Sequence, residues 1–375
     1  MKIQAAVARE PGTLVYETLD LDSPRDNEIL VRVVATGICH TDLSAIGQLL
    51  PARLPMVPGH EGAGVVEAVG AGVTKVAPGD HVVMTYDYCD DCRACNDHDH
   101  TYCHHAVERC FLGDRPDGSA TLHDAERKVV HGSFFGQSSL ATYALCYDRN
   151  VVKVRKDAPL ELLGPLACGI QTGAGAVLNA LDVNANTDFA VFGAGAVGLS
   201  AVMAAHVAGA PIIIAVDISD DRLDMARVLG ATHVFNSKNG DPVAFIRSVT
   251  DGGVLRSLDT SGVPTVMQQA LAATAPRGVC GWLAGVDPAL EVPVNPTFLL
   301  AGRSVKGIIE GESHDAQAFI SRLIDLYMDG RFPFDKLCRF YEMDQLAEAI
   351  ADSRSGRTIK PIVRFGGISG RGIDQ

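Results

Sequence analysis

The chain contains no apolar run that approaches the roughly 18 residues of a membrane-spanning helix, and its opening, Met1-Lys2-Ile3-Gln4, carries no apolar signal-peptide core. It is also short of positive charge, with 32 Lys and Arg against 45 Asp and Glu and a formal net charge of −13. The first two absences argue against a membrane span and a secretory signal. The third argues against nucleic acid or an anionic bilayer as a partner. The expectation is a soluble, cytoplasmic protein, and in a reducing compartment clustered cysteines bind metal more often than they pair. With 375 residues, 47% of them hydrophobic, the chain is long enough for two domains, each with its own core.

Metal-ligating residues fall into two sets. Cys89, Cys92, Cys95 and Cys103 lie within fifteen residues at spacings of two, two and seven. Turns this tight can aim four sulfurs at one ion, so the spacing predicts a closed tetrahedral zinc site. The lobe around it has little apolar sequence, and metal binding would supply its folding energy. His98, His100, His104 and His105 beside it could also bind metal, and read first as solvated loop residues. The second set is mixed: Cys39 in Gly37-Ile38-Cys39-His40-Thr41-Asp42, His60 in Gly59-His60-Glu61-Gly62-Ala63-Gly64, and Cys168 in Leu166-Ala167-Cys168-Gly169. Sulfur with imidazole suits zinc, and three protein ligands leave a fourth position open, which is the arrangement of a catalytic ion.

Residues 1–36 and 63–84 alternate as short antiparallel strands and predict a compact, barrel-like β domain with Cys39 and His60 on its loops. Phe134-Phe135 reads either as core or as the wall of a pocket for a flat, apolar substrate. From Cys168 the pattern changes. A helix is expected over 169–181, then a strand over 188–192 that runs into Gly193-Ala194-Gly195-Ala196-Val197-Gly198 and a helix reaching about Ala208. The next strand, 212–216, ends in Asp217, nineteen positions after Gly198. Strand, glycine loop, helix and trailing acid together predict a dinucleotide site: the backbone approaches the pyrophosphate, the helix N-terminus meets its charge, and Asp217 accepts from ribose hydroxyls. A carboxylate there repels a 2′-phosphate, and Ile218-Ser219-Asp220-Asp221 supply no base to offset it, so NAD is favoured over NADP.

Further strands are expected near 233–235, 254–260 and 279–283, and helices near 220–229, 242–249 and 266–275, which makes a doubly wound parallel sheet. Ser219 is the expected N-cap of the first of these helices, with Asp220 and Asp221 at the positive end of its dipole. Residues 303–309 read as an edge strand, and 366–375 as a tail without structure.

On these residues the chain resembles the zinc-containing medium-chain alcohol dehydrogenases over about 1–365. The likeness includes Gly59-His60-Glu61-x-x-Gly64, the four-cysteine lobe, the glycine loop and the closing Lys360-Pro361-Ile362-Val363. Phe134-Phe135-Gly136-Gln137-Ser138-Ser139 and Cys39-His40-Thr41-Asp42 resemble the branch that acts on benzylic and allylic alcohols. The resemblance implies an α/β chain with a GroES-like, β-rich catalytic domain at 1–169 and 310–375, its zinc lobe at 89–103, and a Rossmann NAD domain at 170–309. It implies about two zinc ions per chain: a structural ion on the four clustered cysteines, and a catalytic ion on Cys39, His60 and Cys168 with Glu61 behind it as an occasional ligand. Asp42 would orient His60, and Thr41 would be the relay hydroxyl. His40 and Lys360 would approach the pyrophosphate, Thr172 and Val197 the nicotinamide, and Asp217 and Arg222 the adenosine ribose, with Gly193, Gly195, Ala196 and Gly198 forming the loop. Liver-type members carry a histidine three residues after the relay hydroxyl, where this chain has Ser44.

The implied reaction is zinc-assisted, reversible hydride transfer from a primary aryl or allylic alcohol to NAD, giving the aldehyde. A formaldehyde- or polyol-directed dehydrogenase would share these residues and differ in its pocket, and a non-catalytic nucleotide-binding scaffold would be expected to lose the metal ligands. Pairing through the edge strand would give a homodimer or homotetramer.

Overall fold

The computed structural model describes residues 1–284 and 290–365, so the expected tail at 366–375 lies outside the described residues. The chain divides into two compact units. One comprises residues 1–168, 314–328 and 335 onward; the other comprises 169–313 and 329–334. The first unit opens with β1 (Lys2–Val7), β2 (Val15–Leu21), β3 (Glu28–Gly37), β4 (Glu61–Val69), β5 (His81–Met84), β6 (Leu122–His123), β7 (Val129–Val130), β8 (Tyr143–Tyr147) and β9 (Val151–Val154). The second contains β10 (Phe189–Phe192), β11 (Ile213–Asp217), β12 (His233–Asn236), β13 (Val254–Asp259), β14 (Thr274–Trp282) and β15 (Ser304–Gly307). The chain then returns to the first unit with β16 (Cys338–Glu342) and β17 (Lys360–Arg364).

The first unit is built on β3. Its sequence is largely apolar on both faces between Glu28 and Thr36, with Arg32 the exposed exception, so it needs neighbours on both edges and cover on both sides. It receives β4 on one edge, and β17 and β8 along the other, all antiparallel. The full order is β16-β17-β3-β4-β5-β9, with β8 also on β3. Ile29, Val31, Val33, Val66, Val82 and Met84 form the centre of one buried cluster. A smaller sheet, β1-β2-β6-β7, packs its own apolar set around Val7, Leu19 and Leu122. The two turns that matter here lie at the ends of β3 and the start of β4: Cys39 and His60 sit on these loops.

In the second unit β10 and β11 are buried at every position, as fits strands covered on both faces. The order β12-β11-β10-β13-β14-β15 is parallel throughout. The helix Ala196–Val207 is buried from Gly198 to Ala205, so it is a core element and not an amphipathic surface helix.

Three local expectations need correction. The helix placed at 266–275 runs over Pro264–Ala272, and β14 starts at Thr274 and not at 279. Thr274 already pairs with Val254 before a register shift, and the Pro276-Arg277-Gly278 stretch within the strand obscured that pairing in the sequence. Ser219 occupies the N-cap position of Asp220–Val228 but makes no side-chain cap bond. The Asp217 carboxylate accepts the amides of Ile218 and Ser219, which lead into this helix, at 2.7 and 2.9 Å.

Gly59 adopts φ +99°, and a Cβ there would meet the Leu140 amide nitrogen at 2.3 Å. Backbone strain and a clash with backbone act together at this position. Gly59→Ala is therefore expected to lower stability by roughly 2–4 kcal/mol, read as a shift in the denaturant midpoint at unchanged slope.

Candidate functional site

Cys39 is the N-cap residue of the helix His40–Ile46, in extended conformation (φ −118°, ψ 158°), and its amide is accepted by Asp42 Oδ2 at 2.9 Å. The other oxygen of the same carboxylate accepts the Gly59 amide at 2.9 Å and meets His60 Nδ1 at 2.8 Å. Asp42 is 1% exposed. One buried carboxylate thus fixes the turn carrying Cys39, the loop carrying His60, and the imidazole ring itself.

Ligand atoms of Cys39, His60, Glu61 and Cys168 all lie within 4.8 Å of one another. His60 Nε2 is buried and has no hydrogen-bond partner. An orphaned imidazole nitrogen between two thiols costs free energy unless something binds it. The donor set of two sulfurs and a nitrogen, with the other ring nitrogen held by a carboxylate, fits zinc. The hydrogen bond with Cys168 holds the Cys39 thiol well below its ordinary value against burial, and the Lys360 ammonium acts in the same direction.

Glu61 is also buried, and both its oxygens meet Lys360 Nζ, at 2.8 and 3.0 Å. Lys360 donates further to the Ile38 carbonyl at 3.4 Å and is 3% exposed. Burial would lower its pKa, but the Glu61 carboxylate outweighs burial and keeps the ammonium protonated. Its charge is therefore spent inside the first unit. Thr41 Oγ1 lies 3.7 Å from Cys39 Sγ. His40 is exposed, and Thr41 and Ser44, three apart on the same helix, share a face and are half-buried.

The Phe pair rests on the imidazole. Phe135 stacks on His60 at 4.5 Å between centroids, and Phe134 meets it edge-on at 5.7 Å. Phe135 holds a left-handed backbone (φ 52°), rare for a bulky residue. Gln137, fully buried, explains how that turn is held. Its Oε1 accepts the Gly62 amide at 3.1 Å, and its Nε2 donates to the carbonyls of His60, Met84 and Thr85. In the sequence Gln137 is marked only as the amide that follows Phe134-Phe135-Gly136, and nothing local points to these partners.

The four clustered cysteines also converge, with sulfur atoms mutually within 4.8 Å. Backbone amides of Cys92, His104 and His105 point at Cys89, Cys92 and Cys103 Sγ respectively, at 3.3–3.4 Å. The amides of Cys95 and His104 bring the Cys92 thiol down to about 6, whereas burial pushes the Cys89 and Cys95 thiols up. Such a set fits a closed zinc site.

In the second unit the glycine loop links β10 to the helix Ala196–Val207. Gly193 has φ +97°, and a Cβ on Gly198 would lie 1.8 Å from the Gly193 carbonyl oxygen. A Cβ on Gly195, the N-cap, would meet nothing within 4 Å, and no side chain caps the amides behind it. That open approach to a helix N-terminus fits a pyrophosphate. Asp217 closes the loop from β11, accepting the Ala194 amide at 2.6 Å, and Arg222 stands 4.0 Å from it. Thr172 donates to Glu310 at 3.3 Å.

Among the described residues no helix is long and apolar enough to cross a membrane. Residues 25–156 match the alcohol dehydrogenase GroES-like domain, and residues 196–325 match the zinc-binding dehydrogenase family. The geraniol dehydrogenase of Castellaniella defragrans is 43% identical over 96% of this chain and 97% of its own. The crystal structure of benzyl alcohol dehydrogenase from Acinetobacter calcoaceticus superposes with a TM-score of 0.93 at 46% identity, covering 97% of this chain and 99% of that one. An alcohol dehydrogenase zinc-binding domain protein from Burkholderia ambifaria gives 0.95 at 50% identity with the same coverage. With its GroES-like unit, parallel-sheet unit and two converging sets of zinc donors, the chain belongs to the zinc-binding medium-chain alcohol dehydrogenases.

Proposed function

We propose that this alcohol dehydrogenase oxidises primary aryl or allylic alcohols to aldehydes, reversibly, with NAD as hydride acceptor. The observation that carries the reading is the buried, unpartnered His60 Nε2 set against Cys39 and Cys168, with Phe134 and Phe135 lying on the same imidazole. An aromatic surface joined to the metal donors suits a flat, apolar alcohol. The names of the geraniol and benzyl alcohol relatives support the same class.

Cys39, His60 and Cys168 would hold the catalytic ion and Cys89, Cys92, Cys95 and Cys103 the structural one. Zinc bound at the first set supplies Lewis-acid polarisation of an oxygen, the effect that takes water from a pKa of 15.7 to about 7. Asp42 holds the His60 tautomer that leaves Nε2 free to ligate. Thr41, beside Cys39, takes the substrate hydroxyl proton into a hydrogen-bond chain, and Ser44 on the same face is the next hydroxyl along the helix. The Phe pair and Gln137 keep water from the imidazole and fix its plane.

Lys360 is assigned first to holding Glu61, on its direct contacts. His40 is assigned to the pyrophosphate, Thr172 and Val197 to the nicotinamide, and Asp217 with Arg222 to the adenosine ribose. The first unit, with its zinc lobe, is the catalytic domain and the second the cofactor domain. The half-exposed β15, at the edge of the parallel sheet, is the segment through which we expect two chains to pair.

Initial rates of NAD reduction by zinc-loaded protein test the substrate class. Benzyl alcohol and geraniol are expected to exceed ethanol by about 100-fold or more in kcat/KM; ethanol performing best, or activity confined to polyols or formaldehyde adducts, would overturn it. Cys39→Ser is expected to abolish turnover and lower zinc content by one ion per chain while leaving NADH binding by fluorescence unchanged. For the cofactor, kcat/KM with NAD should exceed that with NADP, and Asp217→Gly should narrow the ratio by about 10-fold; an unchanged ratio would remove Asp217 from that role.

A further inference from the structure

A third group of metal donors stands outside both zinc sites and shares one residue with the four-cysteine cluster. Ligand atoms of Cys89, Asp91 and His105 lie within 4.8 Å of one another. Asp91 and His105 are exposed, and Cys89 is half-buried. The Cys89 thiol hydrogen-bonds to the Asp91 carboxylate, while the His105 backbone amide supports Cys103 Sγ at 3.4 Å. In the cluster proper, Cys95 and Cys103 are only 3% and 6% exposed. The sulfurs therefore meet solvent on the Cys89 and Cys92 side, and Asp91 and His105 flank Cys89 there.

We propose that Cys89, Asp91 and His105 form a transfer site through which zinc enters and leaves the four-cysteine cluster. A closed tetrahedral site has no open position, so its ion exchanges only by ligand substitution. Here the substitution has a built path. An incoming ion binds the exposed carboxylate and imidazole and then the Cys89 sulfur. Its bonds to oxygen and nitrogen break as bonds to Cys92, Cys95 and Cys103 form, and the displaced thiol protons pass to solvent. Because Cys89 belongs to both sets, the ion is never without a protein ligand. The direction of transfer follows from donor chemistry: four thiolates hold zinc more tightly than a mixed oxygen, nitrogen and sulfur set. His98, His100 and His104 join no such group among the described residues, which separates His105 from its neighbours. The proposal rests on the four cysteines holding zinc and extends that assignment to how the ion is loaded.

The test is release of zinc from the fully loaded enzyme to excess chromophoric chelator. Release from the two sites gives two phases, and Cys39→Ser, which lacks the catalytic ion, identifies the structural one. Asp91→Asn and His105→Gln are each expected to slow that phase by about 10-fold, the scale on which residues supporting metal ligands act, with total zinc content and thermal midpoint unchanged. Asp91→Glu should restore the rate, and His104→Gln should leave it alone. A structural phase that is unchanged or faster in both variants would overturn the proposal. So would equal slowing by His104→Gln, or zinc content falling with Asp91→Asn, since that would make Asp91 part of the binding site. If the four-cysteine zinc assignment itself fails, Cys39→Ser shows no releasable ion at all.

Discussion

The candidate site in the first unit depends on the three bonds of one buried carboxylate. Asp42 takes the Cys39 amide with one oxygen, and the Gly59 amide and His60 ring with the other. A charged group this deep is tolerated only when its lone pairs are filled. Filling them here ties together two loops eighteen residues apart in sequence. The candidate metal donors Cys39 and His60 are thereby held in place by one group, and the buried His60 Nε2 is left without a hydrogen-bond partner.

Around this carboxylate the chain leaves little freedom. Gly59 turns where a side chain would strike the Leu140 backbone, and Gln137 fills one buried donor and three buried acceptors on β4, β5 and the loop before them. The left-handed Phe135 is held by the same turn, and its ring lies on His60. Strain of this sort persists where the surroundings over-determine the backbone, and it accumulates where function needs a fixed geometry. The Phe pair is therefore both core and functional surface, and the choice between those readings disappears once its contact with the imidazole is known.

What could be read from the sequence was whatever short-range spacing encodes. The four cysteines and the glycine loop are legible because the geometry they serve spans only a few residues. Cys39, His60 and Cys168 are legible as a mixed sulfur and imidazole donor set that suits zinc, and the resemblance implies the same set, though nothing in spacing alone brings positions 60 and 168 together. Less legible was every feature decided by a distant partner. Gln137 reads as one more polar residue until β4 and β5 are seen beside it. Lys360 carries no mark in its own sequence of being buried against Glu61, almost 300 residues earlier. The early start of β14 was hidden because a bulge broke the period on which strand recognition relies. Ser219 has the residue type of a cap and stands at the N-cap position, yet its side chain makes no cap bond.

The Glu61–Lys360 pair bears on which chemistry remains open at the catalytic donors. Glu61 stands among them, and a fourth protein ligand would close the site and make it structural. Both carboxylate oxygens are committed to Lys360, and both residues are buried. Moving the carboxylate onto a metal would leave an ammonium buried with only the Ile38 carbonyl, and breaking a buried pair in this way costs about 3–5 kcal/mol. On the proposed assignment, that penalty would hold Glu61 back while Cys39, His60 and Cys168 ligate, leaving the fourth position to substrate. The four-cysteine group offers four sulfur donors, enough for a closed site. On that reading the two sites would differ less in the metal they suit than in whether a buried lysine withholds the last ligand.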